Sequence, residues 1–455
     1  MEDKPNIVML TVDCMRPDHL GIYGYDRPTS PAMDGIARKG IVFDRVLTCG
    51  PNTPPSFNSL FTSTYPFSGE GYHPLPGSKI PVAEVLNGEG YTTIGVNSNA
   101  FLTGIYKFNR GFDIYKELFR EKSGLERFVD SKISALRYRK WNDTALRLAY
   151  LRDRFVVRDI RPYLPGNHVV DTMMKEISKV RGRFFTWAHF MDAHMPLQAN
   201  NEGLREMGIE EFSRSEVSSL RKWIANRKKE TPERTIERIK DLYDSNIRFI
   251  DGQISRIVDH IDERWENTVV MILSDHGEEF KEHGHFGHFG KLYDELLRIP
   301  LIIKGPGLPM GHREHRIISN IDISPMLLAT IGIRPPRLWQ GNKIDLKSDD
   351  GKPWRKYVIS QVEMKSKKAF GNKAGKKISS IRDDRYKLIE SQDSSLIELY
   401  DLLKDPGEEN DISGIETQVL KEMRLLLKEI NEGSPSRDED MEKVRLKGAL
   451  SKIKL

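Results

Sequence analysis

A long amphipathic segment that runs directly into an apolar one constrains the fold more than any other feature of this 455-residue sequence. Apolar residues recur at helical spacing from Ile236 to Ile261, which predicts one long helix with a single buried face. The run 268–274 that follows is almost entirely apolar, as expected for a strand covered on both faces. A helix that leads into such a strand is typical of a parallel α/β sheet.

Five other apolar runs have the same character and predict five more strands. They are residues 6–13, 41–48, 92–97, 184–192 and 301–304. Helical signals lie between them: Ser30 and Pro31 predict a helix start with a capping residue and a first-turn proline, and residues 82–86 predict part of another helix. We therefore expect an α/β fold in which a large, mostly parallel sheet is flanked by helices on both faces.

The pattern changes after about residue 335 to shorter segments. Strands are predicted at 357–362, 378–382, 386–390 and 396–402, and a helix at about 417–430. We expect an α/β domain over 1–335, a small C-terminal α+β subdomain with an antiparallel sheet over 336–432, and a charged tail over 433–455.

The net charge of +5 is concentrated in one segment. Residues 116–161 contain 13 Lys and Arg against 7 Asp and Glu, and 133–155 is compatible with a basic amphipathic helix. The first interpretation is a basic helical insertion over 116–182 with a solvated face. The alternative is peripheral contact of 116–161 with a membrane or a large anion. No nucleic-acid partner is expected.

The compartment is predicted from what the sequence lacks. No apolar run approaches the about 18 residues that a membrane-spanning helix needs, and Asp13 interrupts the first apolar run too early for a secretory signal. Only two cysteines, Cys14 and Cys49, are present, so a disulfide framework is not expected. We expect a cytoplasmic protein, and the sequence does not define its oligomeric state.

Candidate metal ligands follow three of the predicted strands. Asp13 ends the first strand, His194 follows the fourth, and Asp275 and His276 follow the fifth, with His288 shortly after. The carboxyl ends of parallel strands share one edge of a sheet, so these side chains are expected to converge there. Carboxylates and imidazoles are suitable ligands for a divalent cation.

Thr53 is the hydroxyl that we expect to act beside such a cation. A hydroxyl next to a bound metal has a lowered pKa and becomes nucleophilic. Residues 57–62 are predicted to begin a helix shortly after Thr53. The N–H groups and the dipole at the start of this helix are expected to favour a bound anionic group. Phosphate and sulfate fit that description.

A series of short motifs in a fixed order resembles the sulfatase family, within the alkaline phosphatase superfamily. They are 6–13 with Arg16, 18–21, 23–24, 30–43, 59–62, 65–66, 90–93, 97–99, 189–196, 274–278, 292–295, 300–302, 398–402 and 405–408. The resemblance covers about residues 6–410 and implies an alkaline-phosphatase-like fold and a metal-dependent ester hydrolase.

The resemblance implies that Asp13, Asp275 and His276 are metal ligands and that Thr53 stands at the nucleophile position. Cys49 also imitates the start of the family's nucleophile motif, but the spacing to the flanking motifs selects Thr53 and leaves Cys49 as a buried bystander. Typical sulfatases convert a cysteine or serine at this position to formylglycine, and we expect no formylglycine here. Phe57 replaces an arginine of the family motif.

The remaining candidate residues are also carried over from the resemblance. His194 matches a residue that contacts the ester, and His288 matches a histidine of phosphoethanolamine transferases. This pair could bind the oxyanion, protonate the leaving group or hold a second cation. Cys14 replaces an aspartate ligand of the calcium site, and a thiolate suits zinc better. Asn97 and Asn99 are either oxyanion donors or turn formers.

These features predict a hydrolase of phosphate or sulfate esters, with phosphoesters favoured and phosphodiesterases among its relatives. One divalent ion (Ca, Mn or Zn) is expected as cofactor, with a second as an alternative. Two other functions compete. One is a phosphoryl transferase of the phosphoethanolamine or phosphoglycerol type, and the other is a non-catalytic sulfatase-like protein that binds an anion.

Overall fold

The computed structural model describes residues 4–121, 161–225, 230–264, 266–348, 353–364 and 376–431, with positions 125, 129, 131 and 132. The strands are β1 Asn6–Val12, β2 Ile41–Leu47, β3 Thr92–Asn97, β4 Ile114–Glu117, β5 Phe184–Phe190, β6 Thr268–Ser274, β7 Glu279–Phe280, β8 Phe286–Gly287, β9 Arg298–Lys304, β10 His312–Glu314, β11 Ile318–Ser319, β12 Val358–Met364, β13 Lys376–Arg382, β14 Tyr386–Ser391 and β15 Ile397–Asp401.

The helices in the described ranges are α1 Pro31–Ala37, α2 Thr53–Thr62, α3 Val82–Gly88, α4 Gly166–Ile177, α5 Asn201–Glu206, α6 Arg214–Ala225, α7 Glu233–Arg264, α8 Asp294–Leu297, α9 Ile323–Thr330 and α10 Thr417–Asn431. Short 3-10 turns occur at Pro17–His19, Gly21–Tyr23, Ala100–Leu102, Gly104–Tyr106 and Asn320–Asp322. No helix in these ranges is both long and apolar enough to cross a membrane.

The large sheet has the strand order β10-β2-β9-β6-β1-β5-β3-β4, with β11 beside β2. β1 is parallel to both of its neighbours, β5 and β6, whereas β9 runs antiparallel to β6 and β2. The register pairs Val12 with Phe190 on one side and with Ser274 on the other. The residues that follow β1, β5 and β6 therefore emerge together at one edge of the sheet. The predicted mostly parallel α/β sheet is confirmed.

Two helical layers cover this sheet, as strands buried on both faces require. Val8, Leu10 and Val12 of β1 pack in one apolar cluster with α1, α4 and α7. Ile7 and Met9 face the opposite cluster, which contains α2, α3 and α9. Alternate residues of one strand thus supply two separate cores.

All six predicted strands of this sheet are present. The sheet also contains three short strands that were not predicted. Residues 301–304 form only the end of β9, which begins at Arg298. The strand Ile114–Glu117 is half exposed and lacks an apolar run, and Ile318–Ser319 has only two residues. Periodicity carries little signal over such lengths.

The predicted long helix is confirmed as α7, and the predicted start of α1 is confirmed, with Ser30 at the N-cap position and Pro31 as the first helical residue. The Ser30 side chain makes no capping hydrogen bond. The carboxylate of Asp251, from α7, instead accepts the N–H groups of Ala32 and Met33 at 2.9 and 2.8 Å. A capping residue supplied from another helix leaves no local sequence signal.

The segment predicted as a basic insertion is described only at its ends. Helix α4 packs Val169, Val170 and Met173 into the same core as β1, and its first N–H, of Gly166, donates to Asp192 Oδ2 at 2.9 Å. The predicted basic helix at 133–155 lies outside the described residues, as does the whole of the predicted tail.

The C-terminal region forms the predicted antiparallel sheet, in the order β12-β13-β14-β15. Met423, Leu426 and Leu427 of α10 are buried against it. A second apolar cluster joins Leu47 and Leu297, at the large sheet, to residues of β12 through β15. The small sheet is therefore packed onto the domain that carries the candidate site.

Candidate functional site

Thr53 and the predicted metal ligands come together at the shared edge of the large sheet. Thr53 Oγ1 lies 3.4 Å from Asp13 Oδ2 and 3.5 Å from His276 Nε2. His276 Nε2 lies 3.4 Å from Asp275 Oδ2 and 3.6 Å from Asp13 Oδ1. All four side chains are buried. The register of β1 and β6 accounts for this convergence, because it aligns Val12 with Ser274.

The atoms of this cluster fit a cation. His276 Nδ1 lies 2.9 Å from the carbonyl oxygen of Gly277 and donates to it, so Nε2 of the neutral ring presents a lone pair to two carboxylates. Burial lowers the pKa of His276 to about 3, which keeps the ring neutral. Asp275 Oδ2 is buried without a hydrogen-bond partner. A divalent ion would satisfy all of these atoms at once.

The surroundings of the two aspartates shift their pKa values in opposite directions. Burial raises the pKa of Asp275 well above its usual value, and the nearby Asp13 carboxylate raises it further. Burial also opposes ionisation of Asp13, but His194, His189 and His276 outweigh it and hold the pKa of Asp13 well below its usual value. Without a cation, the pair therefore favours a single negative charge, on Asp13. When a cation is bound, both carboxylates can be ionised.

His189 was missed by the sequence predictions. It lies on β5, with Nε2 at 3.2 Å from Asp13 Oδ2 and Nδ1 at 2.9 Å from Thr11 Oγ1. Asp13, His189 and Asp275 each offer a ligand atom within 4.8 Å of the others. The available signal was a single imidazole in the mostly apolar strand Phe184–Phe190, close to its carboxyl end.

The two asparagines have different positions. Asn99 Nδ2 donates to Asp13 Oδ2 at 2.9 Å and to Thr53 Oγ1 at 3.4 Å, so this side chain reaches the candidate site. The Asn97 side chain accepts from the N–H of Asn99 and donates to the carbonyl of Leu102, which shapes the turn. Asn97 thus supports Asn99, and its predicted contact with substrate stays a prediction.

The two candidate catalytic histidines lie side by side. The ring centroids of His194 and His288 are 5.2 Å apart, and those of His276 and His288 are 4.5 Å apart. The main chain of His194 is fixed by Tyr163, whose hydroxyl donates to its carbonyl at 3.1 Å. Both imidazoles are partly exposed, so they border the buried cluster on its open side.

Cys14 lies inside the cluster and Cys49 lies elsewhere. Cys14 Sγ is 3.2 Å from Asp13 Oδ1, and burial together with the Glu278 carboxylate raises the pKa of its thiol. Cys49 Sγ is 3.2 Å from Ser319 Oγ, in an apolar cluster beside the small sheet, and burial raises the pKa of its thiol to about 11. Cys49 is therefore buried outside the cluster, and its role as a bystander stays a prediction.

The helix that starts at Thr53 departs from the prediction in one respect. Helix α2 begins at Thr53 rather than at Phe57, and its first turn contains Pro54 and Pro55. Proline has no N–H group, so this helix start offers fewer backbone donors than expected.

These features define a class of site: a buried carboxylate and histidine cluster beside a hydroxyl, at the edge of a mostly parallel sheet. Comparison with known proteins agrees with it. The family model described as Sulfatase matches residues 5–333, and the one described as N-sulphoglucosamine sulphohydrolase, C-terminal, matches residues 281–433. The chain belongs to the sulfatase family and is an ester hydrolase of that family.

Individual relatives extend over almost the whole chain. An arylsulfatase of Clostridium perfringens is 26% identical over 491 residues, which cover 94% of each chain. Among solved structures, a 2-O GAG sulfatase superposes with a TM-score of 0.71 at 18% identity, over 97% of this chain and 94% of its own. A phosphonate monoester hydrolase of Agrobacterium radiobacter gives 0.68 at 19% identity, over 94% and 95%. These two structures share the fold.

Proposed function

We propose that this chain hydrolyses phosphate or sulfate esters with Thr53 as the nucleophile, and that phosphoesters are its preferred substrates. The observation that carries the proposal is the Thr53 hydroxyl, which is buried 3.4 Å from Asp13 Oδ2 and 3.5 Å from His276 Nε2. The thiol of Cys49 lies outside this cluster and makes a hydrogen bond with the hydroxyl of Ser319.

The preference for phosphoesters is supported by two departures from the usual sulfatase motif. The methyl group on the β-carbon of threonine prevents oxidation to the aldehyde that a formylglycine requires. Phe57, in place of the motif arginine, packs edge-on against the rings of His189 and Trp187 at 4.9 and 5.4 Å. An unmodified hydroxyl nucleophile is the simpler catalyst for phosphoryl transfer.

Asp13, Asp275 and His276 are the residues proposed to hold the catalytic divalent cation, with His189 in support of Asp13. When bound, such a cation lowers the pKa of a neighbouring hydroxyl and neutralises charge on the ester. Asn99, whose amide nitrogen lies 3.4 Å from Thr53 Oγ1, is in position to donate to an ester oxygen.

The reaction proceeds in two displacements. Thr53 Oγ1 loses its proton to water and bonds to the phosphorus atom as the bond to the alcohol breaks. The leaving alkoxide takes a proton from His194 or His288. Water then attacks the phosphorus of the Thr53 ester, which releases the phosphate product and restores the hydroxyl.

Substitution of Thr53 tests this proposal. We expect Thr53→Ala to lower kcat/KM by at least about a thousandfold, whereas Thr53→Ser keeps the hydroxyl and stays within about tenfold. Aryl phosphate monoester, phosphodiester and sulfate ester should be assayed in parallel, each with Ca²⁺, Mn²⁺ and Zn²⁺. Mass spectrometry of the acid-quenched wild type should find one phosphoryl group on the peptide that contains Thr53.

The matched control is Cys49→Ala, which we expect to retain activity. Retained activity in Thr53→Ala together with loss in Cys49→Ala would show the nucleophile assignment to be wrong. Metal content and circular dichroism of each variant exclude an indirect effect of misfolding. Addition of an alcohol acceptor identifies the transferase alternative, because a transferase forms a new ester at the expense of free phosphate.

A further inference from the structure

Exposed apolar side chains lie directly beside the His288 imidazole. The ring of Phe289 is nearly parallel to that of His288, with centroids 5.6 Å apart, and Phe289 is 48% exposed. Met364, which is 43% exposed, packs against the main chain of Gly290, where a β-carbon would lie 2.7 Å from Met364 Cγ. Phe289 and Met364 thus place exposed apolar surface next to a histidine of the candidate site.

A second group of exposed apolar side chains follows Asn99. Phe101 and Ile105 lie on the two 3-10 turns after this asparagine and are 53% and 83% exposed. The N–H of Phe101 donates to Asn99 Oδ1 at 2.9 Å, which ties the position of Phe101 to a side chain that reaches the candidate site. The centroid of its ring lies 6.0 Å from that of His73.

Tyr72 and His73 connect the two groups. Burial raises the pKa of Tyr72, and the neighbouring carboxylate of Glu363 raises it further. Glu363 directly precedes Met364 in β12, and His73 directly follows Tyr72 and contacts the ring of Phe101. A series of neighbouring residues therefore runs from the histidine of the first group to the asparagine of the second, and both of these residues belong to the candidate site.

The exposed members of this series are Phe101, Ile105, Phe289 and Met364, which we call the apolar rim. Single exposed apolar residues are common on protein surfaces, but a group of them beside a site indicates a binding surface. The hydroxyl groups of a sugar would find no hydrogen-bond partner on these four side chains. Four such side chains also expose more apolar surface than one aromatic ring can cover, which favours a flexible alkyl chain.

We propose that the apolar rim binds the alkyl chain of an amphiphilic ester, whose anionic head enters the buried cluster beside Thr53. This inference rests on the proposed function and specifies its substrate class. In the proposed reaction, the leaving alkoxide takes a proton from His194 or His288, so the organic group lies on the side of the site where Phe289 is exposed.

Binding of alkylphosphonates to the intact chain tests the proposal without turnover, because these compounds have an anionic head and no ester bond. Calorimetry in the presence of Mn²⁺, below the concentration at which micelles form, gives the Kd of the ethyl, hexyl, decyl and benzyl compounds. We expect the affinity of the wild type to rise at least about tenfold from ethyl to hexyl and again from hexyl to decyl, because each added methylene group is removed from water.

Substitutions in the rim identify the surface that the chain contacts. We expect Phe289→Ser and Met364→Ser each to lower the ratio of decyl to ethyl affinity by at least about fivefold, whereas Phe289→Leu keeps apolar surface and retains most of the ratio. Met310→Ser is the matched control: Met310 is an exposed apolar residue outside the rim, and its substitution should leave the ratio unchanged.

Three results would overturn the proposal. They are decyl and ethyl affinities within about twofold of each other in the wild type, tighter binding of benzyl than of decyl, and an equal loss of the ratio in Met310→Ser and Phe289→Ser. Absence of ester hydrolysis would instead contradict the proposed function and would leave these affinities as they are, so the two proposals fail separately.

Discussion

Asp13 is the residue on which most of the candidate site depends. Its Oδ2 atom accepts from Asn99 and faces His189 at 3.2 Å, and its Oδ1 atom lies 3.2 Å from Cys14 Sγ. His189 is in turn held by Thr11, which contacts its other ring nitrogen at 2.9 Å. The orientation of the Asp13 carboxylate is therefore fixed by neighbours outside the nucleophile itself.

We predict that His189→Ala weakens metal binding by about 10–100-fold, because the partner that orients the Asp13 carboxylate is lost. Competition with a chromophoric chelator measures this affinity without any assay of turnover. Thr11→Val is the graded control: it removes only the support of His189, so we expect a smaller effect in the same direction. Unchanged affinity in His189→Ala would mean that Asn99 alone positions Asp13.

Some of these residues could be predicted from sequence and others could not. Asp13, Asp275 and His276 each follow an apolar run, and parallel strands bring such positions to one edge. His189 lies within a strand rather than after it, and nothing in the alternation of β5 marks which face its ring occupies. The contact of Glu278 with His288 depends on the path of a glycine-containing loop, which local sequence does not specify.

At the scale of elements, one carboxylate of α7 caps the first turn of α1. Asp251 is buried and accepts two N–H groups from the first turn of α1. We predict that Asp251→Ala destabilises the protein by about 1–2 kcal/mol at pH 8, the usual cost of a lost cap. Urea denaturation with a constant m-value measures the change.

The cost of Asp251→Ala should also depend on pH. Burial raises the pKa of Asp251 from its usual 3.8 to about 6, so the folded wild type takes up a proton below pH 6 that the unfolded chain does not. Wild-type stability from this group therefore increases as pH falls, and the cost of the substitution should be about 1 kcal/mol larger at pH 5 than at pH 8. Ser30→Ala serves as control, with a cost that does not change over this range.

At the scale of the whole molecule, a buried ionic network joins the small sheet to the loop that carries His288. Lys387, on β14, is fully buried and lies 2.9 Å from Asp294 Oδ1 and 2.7 Å from Glu408 Oε1. Asp294 begins the short helix α8, which follows that loop, and its N–H donates to Glu408 Oε2 at 2.6 Å. The small sheet thereby holds one side of the candidate site.

We predict that Lys387→Met destabilises the protein by about 3–5 kcal/mol, because the buried Glu408 carboxylate loses its cation while burial still penalises its charge. The partly exposed Asp294 retains its ion pair with Arg382. Chemical denaturation followed by both tryptophan fluorescence and far-UV circular dichroism measures the loss.

Arg424→Ala is the matched control on the same subdomain. Its ion pair with Glu390 is exposed and should contribute less than about 1 kcal/mol. Equal effects of the two substitutions would mean that the two sheets are held together by apolar packing alone.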